Sequence, residues 1–295
     1  MRNCLVCGVD ISDKRSDAVY CSKAHKLQGI RKGISDTTLT PVTKTPRPHP
    51  LEEYDYEYNL KKFQAMGVEP VEWLATNTGL DELTKLPIGR IIELYGPEGV
   101  GKTTLALNLI QSIKDKRILY IDTESTLDPN RLTKLKMPAD LVTIKKLGYV
   151  EEIYDTVLNE YENYDLIVVD SIANCSFQTE FEGSAGDANI GIKARVLNKL
   201  MRLMPHKLSK SRTTLLLINQ ERQSIGGYVT QFYTPGGAGI QYACSLRIRL
   251  KTTLSDRFPK DPKDGIYQGH LVEAEIKKSK VSVPFRKHKF KLYYV

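Results

Sequence analysis

Residues 96–103 read Gly96-Pro97-Glu98-Gly99-Val100-Gly101-Lys102-Thr103, followed by Thr104, and fit the spacing GxxxxGK(S/T). Glycines let such a loop curl until successive N–H groups point inward at phosphate oxygens. A helix opening directly behind it adds positive potential. Lys102 can carry a charge to the β- and γ-phosphates, and the Thr103 hydroxyl can ligate Mg²⁺. The chemistry is that of ATP held with Mg²⁺.

Two carboxylates belong to the same chemistry. Asp170 closes the apolar run DLIVVD (165–170). A strand ending there delivers a carboxylate to the carboxyl edge of a parallel sheet, where it suits Mg²⁺. Glu124 stands two residues beyond RILYID (117–122). It can orient and deprotonate an attacking water, or it is an exposed loop acid; residue type and position leave both open.

A second constellation lies near the N-terminus. Cys4-x2-Cys7-x13-Cys21-x3-His25 supplies four soft or borderline ligands in two pairs, the count and pairing of a closed tetrahedral Zn²⁺ site. About thirty residues cannot bury a self-sufficient core, so the metal supplies the folding energy. His49, in a proline-rich stretch, suits the role less well. Cys175 and Cys244 stand alone in apolar segments and read as buried small hydrophobes.

These residues need elements to position them. The phosphate loop requires a strand before it and a helix after it. Residues 90–95 (RIIELY) predict the strand. Residues 103–114 predict the helix, with Leu105, Leu107, Leu109, Ile110 and Ile113 largely on one face. Further strands are predicted at 117–122, 141–145, 165–170 and 213–218, and further helices at 150–161 and 188–208. Extended segments follow near 244–251, 270–277 and 287–294. Apolar strands alternating with helices imply an α/β fold whose mostly parallel sheet is covered on both faces, with an antiparallel or mixed addition at the end.

Four zones result. Residues 1–33 form the zinc module. Residues 34–50, with Pro41, Pro46, Pro48 and Pro50, form an extended linker. Residues 51–73 are an N-terminal segment in which Leu60, Phe63 and Met66 fall at near-helical spacing. Residues 74–295 are the core.

Composition bounds the rest. The chain is 41% hydrophobic and 26% charged, an ordinary globular balance. It has no run of 18 apolar residues, which excludes a helix that spans a bilayer. Its first residues hold no apolar signal core, so the expected location is the cytosol. The net charge of +8 is uneven. Residues 1–50 hold nine Lys/Arg against four Asp/Glu, and residues 277–295 hold seven Lys/Arg and no acid. Such patches fit a polyanion such as nucleic acid, or a merely solvated surface.

From residue 74 onward the sequence resembles the RecA family of DNA strand-exchange proteins, in its bacterial and phage branch. The resemblance rests on LYGPEGVGKTT (94–104), YIDTESTLDP (120–129), DLIVVDS (165–171), EGSAGDANIGIKAR (182–195), LINQER (217–222), Gly236-Gly237 and KVSVPF (280–285), which occur in the family's order and near its spacing. The resemblance implies an ATPase that forms helical filaments on single-stranded DNA and pairs it with homologous duplex. It makes Glu124 the catalytic glutamate, Asp128 the contact to the adenine amino group, and Gln220 the sensor of the γ-phosphate. It makes Lys278 and Lys280 the lysines that reach the ATP of a neighbouring subunit. It places DNA contacts at Ile190, Arg222, Ile225, Gly236 and Gly237, on two loops spanning about 182–191 and 221–237, and at Arg195 just beyond the first.

Gln220 directly precedes the second loop, so nucleotide occupancy would pull on it, with Gly226, Gly227, Gly236 and Gly237 as hinges. Tyr228, Phe232 and Tyr233 are candidates for wedging between bases, or ordinary loop packing. Arg131 departs from the family, which has a tyrosine against adenine there. The chain ends where the family's C-terminal domain would begin, and its N-terminal zone has no family counterpart; both features fit a bacteriophage version. A RadA/Sms-like DNA motor also sets a zinc module before this type of ATPase, but its motif KNRFG is absent. A protein that coats DNA without exchanging strands is the other alternative.

The Cys/His pattern makes a direct prediction. The purified chain carries about one zinc, and Cys4→Ser or His25→Ala releases it. Elemental analysis by mass spectrometry checks this; a metal-free wild-type chain prepared without chelator contradicts the zinc site.

Overall fold

The computed structural model describes Cys4, Cys7, Val9, Asp10 and Ser12, and residues 55–178, 191–223, 232–252, 257–258 and 267–294. The chain divides into two compact units, Met1–Glu69 and Pro70–Val295. The boundary lies four residues before the one read from sequence. Trp73–Leu74 (β1) pairs antiparallel with Leu86–Pro87 (β2), and Glu72 forms an ion pair with Arg212, so residues 70–73 belong with the core.

In the first unit, Tyr56–Ala65 forms helix α1. Its start is set by Asp55, whose carboxylate accepts from the Tyr58 N–H at 2.9 Å, a side-chain cap on an otherwise unpaired helical donor. Leu60, Phe63 and Met66 are exposed.

The second unit is built on one eight-stranded sheet. Its strands are β3 (Ile91–Gly96), β4 (Ile118–Asp122), β5 (Val142–Lys146), β6 (Leu166–Asp170), β7 (Thr214–Gln220), β10 (Leu246–Lys251), β11 (Gly269–Ser279) and β12 (Lys287–Tyr293), in the order β12-β11-β10-β3-β7-β6-β4-β5. The run β10-β3-β7-β6-β4-β5 is parallel, and β11 and β12 are added antiparallel. Two-residue strands β8 (Arg222–Gln223) and β9 (Phe232–Tyr233) pair separately.

The central strands are apolar on both sides because both faces are covered. One face packs on helix α2 (Lys102–Ser112) through Leu105, Leu109 and Ile110. The other packs on α4 (Val150–Glu160) and α5 (Ile192–Ser211) through Val150, Ile153, Val157, Leu200, Met204 and Leu208. Short helices α3 (Pro129–Lys134) and α6 (Ala238–Ala243) and 3-10 turns at Gly79–Glu82 and Tyr161–Asn163 complete the described elements. The long helix ends at Ser211, three residues beyond the predicted end, and its predicted first residues lie outside the described ones.

One charge sits inside this apolar body. Glu93, in the middle of β3, is fully buried and pairs with Arg247 of β10. Asn219 donates to the other Glu93 oxygen at 2.9 Å and also to the carbonyl of Pro235 at 2.9 Å. Arg247 donates to Thr234 Oγ1 at 3.2 Å and lies over the ring of Tyr95. The network ties three neighbouring strands to the segment that leads into α6.

Glu93→Ala leaves the Arg247 guanidinium without its buried partner. Loss of one member of such a pair costs about 3–5 kcal/mol. Urea unfolding measures it, and a loss below about 1 kcal/mol would show that the pair is exposed to solvent in practice.

Candidate nucleotide site

The phosphate loop leaves β3 at Gly96, where the backbone runs so close to the next strand that an added Cβ would stand 2.4 Å from the Leu250 carbonyl oxygen. Gly99 and Gly101 have φ of +71° and +90°, conformations that side-chain-bearing residues rarely adopt. At Gly101 a Cβ would also meet Leu292 Cδ2 at 2.4 Å. Val100 is fully buried and anchors the loop, and its carbonyl lies 3.2 Å from His270 Nε2. Helix α2 begins at Lys102, one residue earlier than predicted. Its first free N–H groups therefore lie at the lysine and threonine themselves.

Lys102 folds back on the loop. Its ammonium donates to the carbonyls of Gly96 at 3.1 Å and Pro97 at 2.8 Å. Burial holds it below the usual lysine range, against the pull of Asp170, Glu124, Glu98 and Glu221. Thr103 Oγ1 donates to Asp170 Oδ2 at 2.7 Å, and the buried Tyr120 hydroxyl donates to the same oxygen at 2.6 Å. Burial raises the Asp170 carboxyl above its usual range, and these two hydrogen bonds oppose the rise. Burial and the adjacent carboxylate push the Tyr120 phenol well up.

Glu124 is exposed on its loop but hydrogen-bonded there. Its Oε1 accepts from Ser171 Oγ at 2.9 Å and Asn174 Nδ2 at 2.6 Å. The loop carrying it is shaped by the buried Asp122, whose carboxylate accepts from the N–H groups of Glu124 at 3.2 Å, Thr126 at 3.4 Å and Leu127 at 3.1 Å. Gln220 stands beside Gly96 in the β3–β7 register.

Lys102, Thr103, Glu124, Asp170 and Gln220 line one cleft of about 320 Å³, with Glu98, Gly99, Gly101, Thr104, Thr126, Arg131, Ser171, His270 and Tyr294 completing the wall. Of the residues read from sequence for the nucleotide, it brings together Glu98, Gly99, Gly101, Lys102, Thr103, Thr104, Glu124, Asp170 and Gln220, while Gly96, Pro97 and Val100 are not part of its lining. Arg131 reaches it from α3, donating to Thr104 Oγ1 at 3.2 Å, while its Nε has no partner among the described residues. Asp128, expected at the base, caps α3 by accepting from the Arg131 N–H at 3.0 Å and does not line the cleft. A helix start leaves N–H groups unpaired, and this carboxylate fills one of them. Tyr120, Ser171, Asn174 and His270 had no signal in the sequence, because each meets its partner across strands.

Lys278 and Lys280 lie away from this cleft in their own chain. Lys278 pairs with Arg247, and Arg247 with Glu93, three residues before the loop begins. Their ammonium groups donate to the carbonyls of Gln241 and Tyr242 at 2.6–3.0 Å.

A second hollow, of about 600 Å³, opens between α5 and α6 and is lined by Arg195, Asn198, Met201, Arg202, Gly239, Tyr242 and Ala243. Arg202, two helical turns from Arg195, went unnoticed in the sequence. Arg222 is exposed on β8 opposite Tyr233. Gly236 and Gly237 have φ of +98° and +84°. Phe232 lies under the Arg249 guanidinium, which also pairs with Glu221. Ile190, Ile225 and Tyr228 lie outside the described residues. So do Cys21 and His25, two of the four zinc candidates. Among the described residues, no group of three His, Cys, Asp or Glu gathers to hold a metal.

The cleft's donor set fits a triphosphate with Mg²⁺. A buried ammonium, a glycine loop with left-handed turns and a helix start suit phosphates, while Thr103 and Asp170 supply hard oxygens suited to Mg²⁺.

A family model described as the RecA N-terminal domain matches residues 66–295. The chain belongs to the RecA family. Its RecA core is 36% identical over 217 residues to Protein RecA of Oleidesulfovibrio alaskensis, covering 71% of this chain and 60% of that protein. It is 33% identical over 258 residues to Protein RecA of Wolinella succinogenes, covering 83% and 72%. The chain thus spans about three-fifths to seven-tenths of these relatives. The crystal structure of the RadB recombinase superposes with a TM-score of 0.53 at 22% identity, over 74% of this chain and 95% of that one, and shares the RecA-type fold.

Because only the protonated Lys102 offers charge to phosphate, nucleotide affinity falls as pH rises, and the fall starts below the pH at which an exposed lysine would lose its proton. Titration with a fluorescent ATP analogue across roughly pH 7 to 10 checks this. A flat profile to the alkaline end would remove Lys102 from the site.

Proposed function

We propose that the chain is an ATP-dependent DNA recombinase that assembles on single-stranded DNA, pairs it with homologous duplex and hydrolyses ATP when DNA is bound. One observation carries the reading: strand β7 ends in the nucleotide cleft and continues, without a break in chain, into the segment assigned to DNA. Gln220 lines the cleft, and Asn219 holds the Pro235 carbonyl on the return limb of that segment. Arg222 of β8 pairs with Tyr233 of β9.

Within this reading, Lys102 exchanges the Gly96 and Pro97 carbonyls for phosphate oxygens, and Thr103 with Asp170 holds Mg²⁺. The bound metal neutralises charge that builds on the phosphates. Glu124, oriented by Ser171 and Asn174, takes the proton of the attacking water. Gln220 senses the γ-phosphate and shifts the segment behind it. DNA binding and ATP binding then tighten each other by the same factor. Arg195, Arg202 and Arg222 contact the phosphate backbone, with Gly236 and Gly237 allowing close approach.

Lys278 and Lys280 point away from their own cleft, which supports a role toward a neighbour's nucleotide in a filament. The exposed Leu60 and Phe63 of α1 support the segment 51–73 as the piece that docks on that neighbour. The zinc module, if formed by Cys4, Cys7, Cys21 and His25, presents Lys14, Arg15, Lys23, Lys26, Arg31 and Lys32 to DNA.

Electron microscopy of the chain with single-stranded DNA tests the reading. Helical filaments form with a non-hydrolysable ATP analogue, are absent without nucleotide, and are absent with Lys102→Ala. Rings, or filaments that ignore nucleotide, overturn it.

A further inference from the structure

Tyr120 has a place in the site that the loop, the two acids and the glutamine do not account for. It lies in β4, between Val168 of β6 and Ile144 of β5 in register, and is only 1% exposed. Its ring forms part of the wall of a small apolar cavity of about 160 Å³, with Leu107, Leu127, Leu132 and Met137. Its hydroxyl leaves that apolar setting and ends on Asp170 Oδ2.

The choice of oxygen matters. Oδ2 receives both hydroxyl donors, Tyr120 and Thr103, whereas Oδ1 receives no hydrogen bond from the described residues, and Asp170 lines the cleft. The carboxylate is therefore pinned by one oxygen and presents the other. The two donors differ in what they can do next. Thr103 sits in the first turn of α2, beside the phosphate loop, and would have a use for its oxygen once a metal–nucleotide arrives. Tyr120 is fixed in the core and has none. When Thr103 turns to the metal, Tyr120 alone keeps Oδ2 paired; without it, a buried carboxylate oxygen would stand unpaired and the carboxylate would be free to rotate.

Resting on the nucleotide reading above, the geometry points to Tyr120 as a positioning residue that orients Asp170 toward Mg²⁺. It acts through the aspartate and does not touch nucleotide itself. Phenylalanine keeps the ring, the cavity wall and the strand, and removes only the hydroxyl.

The test is an Mg²⁺ titration of ATP affinity, read with a fluorescent ATP analogue rather than by turnover. In EDTA, Tyr120→Phe binds the analogue as wild type does. The Mg²⁺ concentration that gives half of the metal-dependent tightening rises about tenfold in the variant, the effect of one hydrogen bond to a charged group. In an Asp170→Asn background the same substitution produces no further shift. Equal midpoints in wild type and variant overturn the proposal. So does an equal loss with and without Mg²⁺, which marks a merely structural hydroxyl, or a shift that persists in the Asp170→Asn background. A wild-type chain whose affinity ignores Mg²⁺ overturns the nucleotide reading, and this inference falls with it.

Discussion

The parallel pairing of β3 with β7, in one register, is the constraint on which the other features depend. It sets Gly96 beside Gln220 and Tyr95 beside Asn219. A slip of one residue would turn every side chain of β7 to the opposite face. Gln220 would then leave the cleft, and Asn219 would lose both Glu93 and the Pro235 carbonyl. Leu215, Leu216, Leu217 and Ile218 are all buried, a run apolar on both faces that a one-residue slip would leave apolar. The Glu93 charge, sealed among Asn219 and Arg247, adds a polar key that an apolar slip cannot match.

The cleft itself is a balance of burial against charge. Lys102 and Asp170 are both largely withdrawn from water, which disfavours the charged form of each. Hydroxyls on Asp170 and carbonyls on Lys102 offset that cost in the resting arrangement. The Lys102 contacts and the Thr103 hydroxyl are ones that a metal–nucleotide, on the proposed reading, would replace, whereas the Tyr120 hydroxyl would stay on Asp170. The carboxylates around Lys102 oppose the effect of its desolvation, and Asp122 accepts from the backbone of the loop that carries Glu124.

A few side-chain contacts join the cleft edge to the return limb. Asn219 bonds the strand interior and the return limb at once, and Arg249 links Glu221 to Phe232. Phe232 is thereby packed beneath a guanidinium, while Tyr233 stays on the two-residue ladder with Arg222. On the return limb, Gly236 and Gly237 take positive φ, a conformation that glycine adopts readily.

Much of this was legible in the chain alone. Apolar runs such as DLIVVD and TTLLLI announce strands buried on both faces, and GPEGVGKT between a strand and a helix announces a phosphate cradle, because local backbone chemistry and periodicity decide both. The carboxyl-edge position of Asp170 follows from its place at the end of an apolar run. What the sequence left open were meetings between distant residues. Whether Glu124 was a loose acid or a held one depended on Ser171 and Asn174, 47 and 50 residues away. Asp128 was drawn to a helix start by N–H groups that exist only once α3 has formed. The lysines at 278 and 280 turned out to face away from their own cleft because β11 runs antiparallel to β10. Periodicity is a local property and survives in a string of letters; strand order and register are long-range, and only the packed sheet decides which side chains share an oxygen.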